Sequence, residues 1–203
     1  MTDPSTPAPA VPFAVEKHRR TKETDIRLKL NVDGTQRVRV ATGHGFFDHM
    51  LHQLAYHAGW NMELTAEGDL HIDDHHLVED TALVLGAALQ ETWRARGDMH
   101  RYGQRLLPMD ETLVMCALDL CGRPYCRTEL GLTRESVGKL STEMVPHFYH
   151  SLAMSGALTL HLRRVCGENH HHIIEASFKA LAYAFREALS PSGRPGASTK
   201  GVL

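Results

Sequence analysis

The same histidine-rich pattern occurs twice in this chain, 96 residues apart. The first copy is HHLVE at residues 75–79, and the second is HHIIE at residues 171–175. Each copy runs into an apolar series with steps of three and four, which predicts one buried face of a helix. The two series are Val78, Ala82, Leu85, Leu89 and Trp93, and Ile174, Phe178, Leu181, Phe185 and Leu189. Each histidine pair therefore opens a core helix, with a glutamate one turn later on the histidines' side.

The elements around these two helices repeat as well. His49 and His147 precede the two copies with a spacing of 98 residues. Alternating residues predict strands within 15–40, 60–66, 101–108, 112–120, 124–130 and 158–165, and helical spacing predicts helices ending near 59 and over 75–96, 143–156 and 171–189. In the first strand region, Asp33-Gly34 signals a tight turn, and Val38 and Val40 continue the alternation on a return strand. This order predicts an α+β fold made by duplication of a β-β-β-α-β-α unit, with half-repeats at 13–100 and 101–203.

Composition excludes several classes of protein. The 203 residues carry a net charge of −2, so the overall charge of the protein does not attract nucleic acid or acidic lipid. No apolar run reaches the roughly 20 residues that span a bilayer. Residues 1–12 form a Pro/Ala/Thr-rich tail without a signal peptide, for which we expect disorder. The four cysteines include no CxxC pair, so we expect reduced thiols in a cytoplasmic protein rather than a zinc–cysteine site.

The fifteen histidines are the unusual feature of the composition. Any single one has an ordinary explanation as a helix cap, a core residue or a surface residue, and Asp73 and Asp74 suit an N-cap. Repetition of the whole constellation at matched positions favours metal binding instead. Six imidazoles and two carboxylates suffice for two sites of four ligands, and this mixture suits manganese, iron, zinc or nickel. The candidate ligands are His49, His75, His76, Glu79, His147, His171, His172 and Glu175.

Four motifs resemble those of one enzyme family, the imidazoleglycerol-phosphate dehydratases of L-histidine biosynthesis. They are GFFDHML at 45–51, DDHHLVED at 73–80, HHIIEASFK at 171–179 and STKG at 198–201, and the resemblance extends from about Val11 to the C-terminus. It implies a hydro-lyase that converts D-erythro-imidazole glycerol phosphate to imidazole acetol phosphate and water, through a metal-bound imidazolate and a diazafulvene-like intermediate. Some members carry an additional N-terminal phosphatase domain, so the short tail implies a monofunctional enzyme.

The resemblance also implies a fold and an assembly. The expected fold is of the ribosomal-protein-S5-domain-2 type, with two superposable halves that each hold a four-stranded sheet and helices packed on one face. The expected assembly is a homo-oligomeric shell of 24 subunits, with metal sites at the contacts between subunits. A small-molecule phosphate is the expected substrate, and neither nucleic acid nor membrane is an expected partner.

Roles for individual residues follow from the resemblance. Two Mn²⁺ ions per active site would be held, one by His75, His147, His171 and Glu175, and the other by His49, His76, Glu79 and His172. The substrate phosphate would be bound by Gln53, Arg101, Arg123, Lys179, Ser198 and Lys200, although each base alone is as well explained as a solvated surface charge. A carboxylate near the metals must transfer protons, and the candidates, in order, are Glu175, Glu79 and Glu23.

Two other functions fit the same residues. A dinuclear metallohydrolase acting on a phosphate ester would also use paired ions, but carboxylates able to bridge two ions are few. A protein that stores or senses metal would use the histidines, but the nearby basic residues argue against storage alone. The residues by themselves leave lyase, hydrolase and storage open, and the family resemblance favours the dehydratase.

Overall fold

The order of strands and helices is the same in the two halves of the chain, apart from one short hairpin. In this computed structural model, which describes residues 15–96 and 98–193, the first half contains β1 (Val15–Arg20), β2 (Thr24–Asn31), β3 (Val38–Ala41), α1 (Gly45–Ala58), β4 (Asn61–Gly68) and α2 (His75–Arg94). The second contains β5 (Tyr102–Met109), β6 (Thr112–Asp119), β7 (Tyr125–Glu129), β8 (Ser136–Val137), β9 (Leu140–Ser141), α3 (Met144–Gly156), β10 (Thr159–Cys166) and α4 (His170–Leu189). The predicted duplication is confirmed. The predictions for the tail at 1–12, for Ser198 and for Lys200 lie outside the described residues.

Each half forms a four-stranded mixed sheet with the same topology. The strand orders are β1-β2-β4-β3 and β5-β6-β10-β7. In both sheets the first two pairs are antiparallel and the last strand is parallel to its neighbour. A parallel pair requires a crossover connection, which α1 and α3 supply. Helices cover one face of each sheet, so Ile26, Leu28 and Leu30 of β2 are buried while Arg27 and Lys29 between them are exposed. The predicted fold class is therefore confirmed.

The predicted return strand does not pair as expected. Strand β3 lies beside β4, in parallel, with Val38 opposite Met62. It makes no ladder with β2, because β4 lies between them. The 32–37 connection is instead held by Asn61, whose Oδ1 accepts from the backbone N–H groups of Thr35 and Arg37. Gly34 allows this approach, since a Cβ there would lie 2.1 Å from the Asn61 nitrogen. A bend at residues 32–33 replaces the predicted tight turn, so the hairpin interpretation was wrong.

One hydrophobic core joins the two halves. Helix α1 packs against α4, and α2 packs against α3. The rings of Phe47 and Phe148 meet edge to face at 5.7 Å, and the Trp93 indole N–H donates to the Gly156 carbonyl at 2.9 Å. In the described ranges, no helix combines the length and the apolar character needed to cross a membrane. The histidine-bearing helix starts of both halves are thus positioned by contacts between the halves.

Candidate metal centre

Glu175 is the centre of a group of side chains at the contact between α1 and α4, which we call cluster A (His49, His171 and Glu175). The Oε2 of Glu175 lies 3.2 Å from Nε2 of His49 and 3.0 Å from Nε2 of His171. Its Oε1 accepts from the Lys179 ammonium at 2.6 Å. Burial acts to raise the pKa of Glu175, but Lys179 and the two imidazoles outweigh it and lower this pKa to about 2. Glu175 is therefore ionised at any physiological pH.

A matching group lies at the contact between α2 and α3, and we call it cluster B (His75, Glu79 and His147). Nε2 of His75 lies 3.5 Å from Oε2 of Glu79, and Nε2 of His147 lies 3.7 Å from its Oε1. The two imidazole centroids are 4.7 Å apart. Nε2 of His147 is buried without a hydrogen-bond partner in the described part of the chain. A cation placed among the three side chains would supply the missing partner.

The donor atoms of both clusters fit a divalent metal ion. In each cluster one ligand atom from every residue lies within 4.8 Å of the other two. Ligands about 2.1 Å from one ion are roughly 3–3.5 Å apart, and the nitrogen–carboxylate distances here are 3.0–3.7 Å. Imidazole nitrogens and carboxylate oxygens without thiolate suit manganese, iron, zinc or nickel. The side chains of His49, His75 and His171 are 42–46% exposed, so both clusters open to the surface.

Within one chain, the ligands are grouped by the internal repeat and not by the expected quartets. His49 corresponds to His147, His171 to His75, and Glu175 to Glu79, so the two clusters are equivalent. The first expected quartet takes two residues from each cluster, and the second takes His49 and Glu79 from different clusters. Across the described ranges, neither quartet comes together in a single copy of the chain.

His76 and His172 stand beside the clusters and use the other ring nitrogen. Nδ1 of His76 donates to Oδ2 of Asp69 at 3.0 Å, and Nδ1 of His172 donates to Oε2 of Glu111 at 2.8 Å. The Asp69 carboxylate raises the pKa of His76, and the Glu111 carboxylate raises the pKa of His172. The imidazoles in turn lower the pKa of Asp69, and that of Glu111 to about 2. Neither histidine belongs to cluster A or cluster B.

The two histidine helices begin with different caps. The Asn169 side chain accepts from the backbone N–H groups of His171 and His172, which holds the first turn of α4. Of the two aspartates that suit an N-cap, Asp73 accepts from the backbone N–H of His75 at 2.9 Å, whereas no cap bond to α2 is made by the side chain of Asp74. Its Oδ2 accepts from the backbone N–H of Ser141 at 2.7 Å and so ties α2 to the β8–β9 hairpin. That hairpin was not predicted, since two-residue strands carry too little alternation to detect.

The expected phosphate ligands fall into two groups in the structure. Gln53 and Lys179 belong to the α1–α4 contact, where Gln53 is hydrogen-bonded to Nε2 of His57 at 3.0 Å. Burial, together with the Lys179 ammonium, lowers the pKa of His57. Arg101 and Arg123 meet instead at Asp119, which accepts from Arg101 at 2.6 and 3.1 Å and lies 3.8 Å from Arg123. Asp119 was not predicted as part of this group.

The third glutamate, Glu23, lies in the turn between β1 and β2 and is exposed. It belongs to neither cluster. The pKa of His76 is raised mainly by its hydrogen bond to Asp69, and the negative charge of Glu23 adds to this effect. Glu23 precedes Thr24 at the start of β2, just as Glu111 precedes Thr112 at the start of β6. This second repeat, with a spacing of 88 residues, is the signal by which Glu111 was detectable in the sequence.

Three further histidines have ordinary contacts. His44 caps α1 by accepting from the backbone N–H of Phe47, and His52 stacks on Tyr56. His161 lies beside Tyr125 on the outer face of the second sheet. These residues carry no candidate role at either cluster.

The sequence matches known proteins along most of its length. The family model IGPD, described as "Imidazoleglycerol-phosphate dehydratase", matches residues 42–185. A protein of that name from Campylobacter fetus is 48% identical over 190 residues, which cover 93% of this chain and all of the relative. The histidine biosynthesis bifunctional protein of Stenotrophomonas maltophilia is 51% identical over 185 residues, covering 91% of this chain and 51% of that protein. The crystal structure of IGPD from Pyrococcus furiosus superposes with a TM-score of 0.79 at 35% identity, covering 92% of this chain and 100% of that chain.

Proposed function

The chain belongs to the imidazoleglycerol-phosphate dehydratase family, and we propose that it carries out the family's reaction with divalent metal ions bound through clusters A and B. The reaction is the dehydration of imidazole glycerol phosphate in L-histidine biosynthesis, so the enzyme is a hydro-lyase. The observation that carries the metal proposal is the presence of the same three donors at two equivalent places. Family membership sets aside the metallohydrolase and storage hypotheses.

Manganese is the ion that we propose, from the family resemblance and the mixed imidazole and carboxylate donors. When bound, the ions would act as Lewis acids toward the imidazole of the substrate and would orient it. The clusters contribute the geometry for this. The Glu175 and Glu79 carboxylates each face two imidazoles, so the donor atoms within each cluster lie close together.

The contacts of the three candidate glutamates support Glu23 as the group that transfers protons. A general base works best with a pKa near the working pH. The pKa of Glu175 is lowered to about 2 by Lys179 and the imidazoles, against the effect of burial, which suits a ligand better than a base. Glu79 faces both imidazoles of cluster B. Glu23 is exposed, lies outside both clusters and is near enough for its charge to raise the pKa of His76, so it is free to approach a substrate held there.

The phosphate of the substrate would be bound by the basic groups near cluster A. The Lys179 ammonium is paired with Glu175 at 2.6 Å, and its charge also lowers the pKa of His57, which is hydrogen-bonded to Gln53. Arg101 and Arg123 form a second cationic group at Asp119. A phosphate dianion favours guanidinium and ammonium donors of this kind. We keep Ser198 and Lys200 as further phosphate ligands on the family resemblance alone.

Assembly of the expected quartets would need more than one copy of the chain. The quartet of His75, His147, His171 and Glu175 forms if cluster B of one subunit meets cluster A of another, and both clusters open to the surface. This supports active sites at the contacts of a homo-oligomer, for which the family resemblance suggests 24 subunits. The four unpaired cysteines agree with a cytoplasmic location.

The direct test is turnover of imidazole glycerol phosphate by purified protein, before and after removal of metal. We expect imidazole acetol phosphate to form with Mn²⁺, to disappear after chelation and to return on reloading. Analytical ultracentrifugation of the same samples reports the assembly. Full activity in protein shown to contain no metal would refute the metal proposal while leaving the reaction in place.

A further inference from the structure

Asp69 and Glu111 lie outside clusters A and B. They are hydrogen-bonded to His76 and His172, the two candidate metal ligands that belong to neither cluster. We propose that Asp69 and Glu111 are positioning residues, which fix the ring tautomers of His76 and His172 so that each Nε2 is available as a metal ligand. The inference rests on the proposed metal-dependent function. It adds two residues to the active site that the motifs of the family resemblance did not include.

The tautomer follows from the chemistry of the hydrogen bond. An ionised carboxylate only accepts, so the imidazole nitrogen that contacts it must carry the proton. The 3.0 Å bond from His76 to Asp69 and the 2.8 Å bond from His172 to Glu111 both use Nδ1. In a neutral ring this leaves the lone pair on Nε2, the atom required for metal coordination. Metal-binding histidines are commonly oriented by a carboxylate in this way.

The surroundings of each Nε2 leave it open. Nε2 of His172 lies 3.7 Å from Oδ2 of Asp110, which is beyond hydrogen-bond distance. The carboxylates that face His172 are Glu111, Asp110 and Glu175. The side chains of His76 and His172 are 37% and 25% exposed. Both rings are therefore oriented by a hydrogen bond at Nδ1, and both side chains remain partly exposed.

Asp69 and Glu111 do not occupy equivalent positions of the internal repeat. A steric clash in the second half explains the difference. The position equivalent to Asp69 in the second half is Gly167, directly after β10. A Cβ at Gly167 would lie 2.3 Å from Oγ1 of Thr112, so no side chain fits there. The β5–β6 turn that fills this space also brings Glu111 to His172. A carboxylate therefore accepts from Nδ1 of the equivalent histidine in each half, His76 or His172, but the two carboxylates belong to elements that are not equivalent.

The Asp69 carboxylate makes one side-chain hydrogen bond in the described part of the chain, to His76. Its Oδ2 accepts from His76, but its Oδ1 is buried and has no hydrogen-bond partner in the described part of the chain. A buried carboxylate oxygen without a donor costs stability. Glu111 has a partial structural role, since its Oε1 accepts from the backbone N–H of Asn169 at 2.9 Å and from the Thr112 hydroxyl at 2.9 Å. A test must therefore separate capping of α4 from orientation of His172.

The variant Glu111→Gln makes this separation. Its amide oxygen can keep the bonds to Asn169 and Thr112, which places the amide NH₂ against Nδ1 of His172. A donor at that position requires the lone pair on Nδ1 and moves the ring proton to Nε2. We expect Mn²⁺ affinity at this site to fall about 10- to 100-fold. The matched control is Glu187→Gln, because the Glu187 carboxylate accepts only from the backbone N–H of Gln104 in the described structure.

Two measurements on the full-length protein decide the outcome. Competition with a chelating dye gives the Mn²⁺ affinity. Solid-state NMR of sedimented, metal-free protein with ¹⁵N-labelled histidine gives the tautomer of His172, assigned by its loss in His172→Gln. A proton on Nδ1 in the wild type and on Nε2 in Glu111→Gln, together with the weaker binding, supports the proposal. Unchanged Mn²⁺ affinity in Glu111→Gln overturns the proposal, even if the substitution lowers the melting temperature of the metal-free protein.

Asp69→Ala gives an independent second test if Glu111→Gln does not fold. It removes the carboxylate that His76 contacts and no other side-chain hydrogen bond of the described chain. The same fall in affinity is expected, and unchanged affinity overturns the proposal for His76. Wild-type protein that binds no Mn²⁺ would refute the proposed metal function, whereas metal-binding wild type with unaffected variants would refute this inference alone.

Discussion

Neutralising Glu175 should destabilise the metal-free protein by an amount that depends on pH. The folded protein lowers the pKa of this carboxyl from 4.5 to about 2, through Lys179 and two imidazoles and despite burial. A difference of this size favours the ionised form by about 3 kcal/mol in the folded state. Glutamine resembles the protonated form in shape and charge. Glu175→Gln should therefore lose about 3 kcal/mol of unfolding free energy at pH 7.

The sign of the pH dependence follows from the lowered pKa. Because the folded pKa lies below the unfolded value, the stabilisation is fully present above pH 4.5 and is lost as the pH falls toward 2. The difference between wild type and Glu175→Gln should thus shrink on acidification, to roughly 1 kcal/mol near pH 3. Urea denaturation of both proteins without metal, at equal subunit concentration, measures this difference at each pH.

A surface carboxylate provides the control. Glu91 also pairs with a lysine, Lys17, but its side chain is 55% exposed. An exposed pair of this kind contributes between 0 and about 1 kcal/mol, so Glu91→Gln should have little effect at either pH. Equal stability of wild type and Glu175→Gln at pH 7 would refute the reasoning. So would a deficit that stays constant between pH 7 and pH 3.

Three further predictions concern metal and substrate. His171→Ala should abolish turnover and lower the bound metal measured by mass spectrometry, without rescue by substrate, whereas His161→Ala should change neither; normal metal and activity in the former would remove cluster A as the site. Arg123→Ala should raise KM about 10- to 100-fold by loss of a charge-assisted contact to phosphate, and a loss of metal instead would show that its role is different. Mn²⁺ affinity should fall as the pH drops below about 6.5, because protons compete for the imidazoles; affinity independent of pH would exclude histidine ligands.

The periodicity of the sequence was sufficient to locate most elements. The helix predicted over 75–96 is His75–Arg94 in the structure, and that predicted over 171–189 is His170–Leu189. These helices were detectable because burial of one face imposes a spacing of three and four residues on the sequence itself. The partner of β3 was not detectable in this way. Alternation identifies a strand, but any neighbouring strand can satisfy its hydrogen bonds.

The inventory of candidate metal ligands was likewise evident in the sequence, since the repeat places equivalent histidines and glutamates at matched positions. Spacing along one helix also showed that His171 and Glu175 share a face. It did not show that His49 joins them, because that depends on the packing of α1 against α4. The grouping into clusters A and B is a property of the contact between the two halves.

The sequence by itself determined the duplicated fold, the helix starts and the types of donor atom, because these follow from local spacing and residue chemistry. Only the tertiary structure decided which donors meet and which nitrogen each imidazole presents. Asp69 and Glu111 reach equivalent histidines from a loop and from a hairpin turn, and Gly167 leaves the space that the hairpin occupies. Glu111 lies 61 residues from His172 along the chain, so its contact depends on the packing of distant segments. Asp69 lies only seven residues before His76, and the conformation of the loop between β4 and α2 decides that contact.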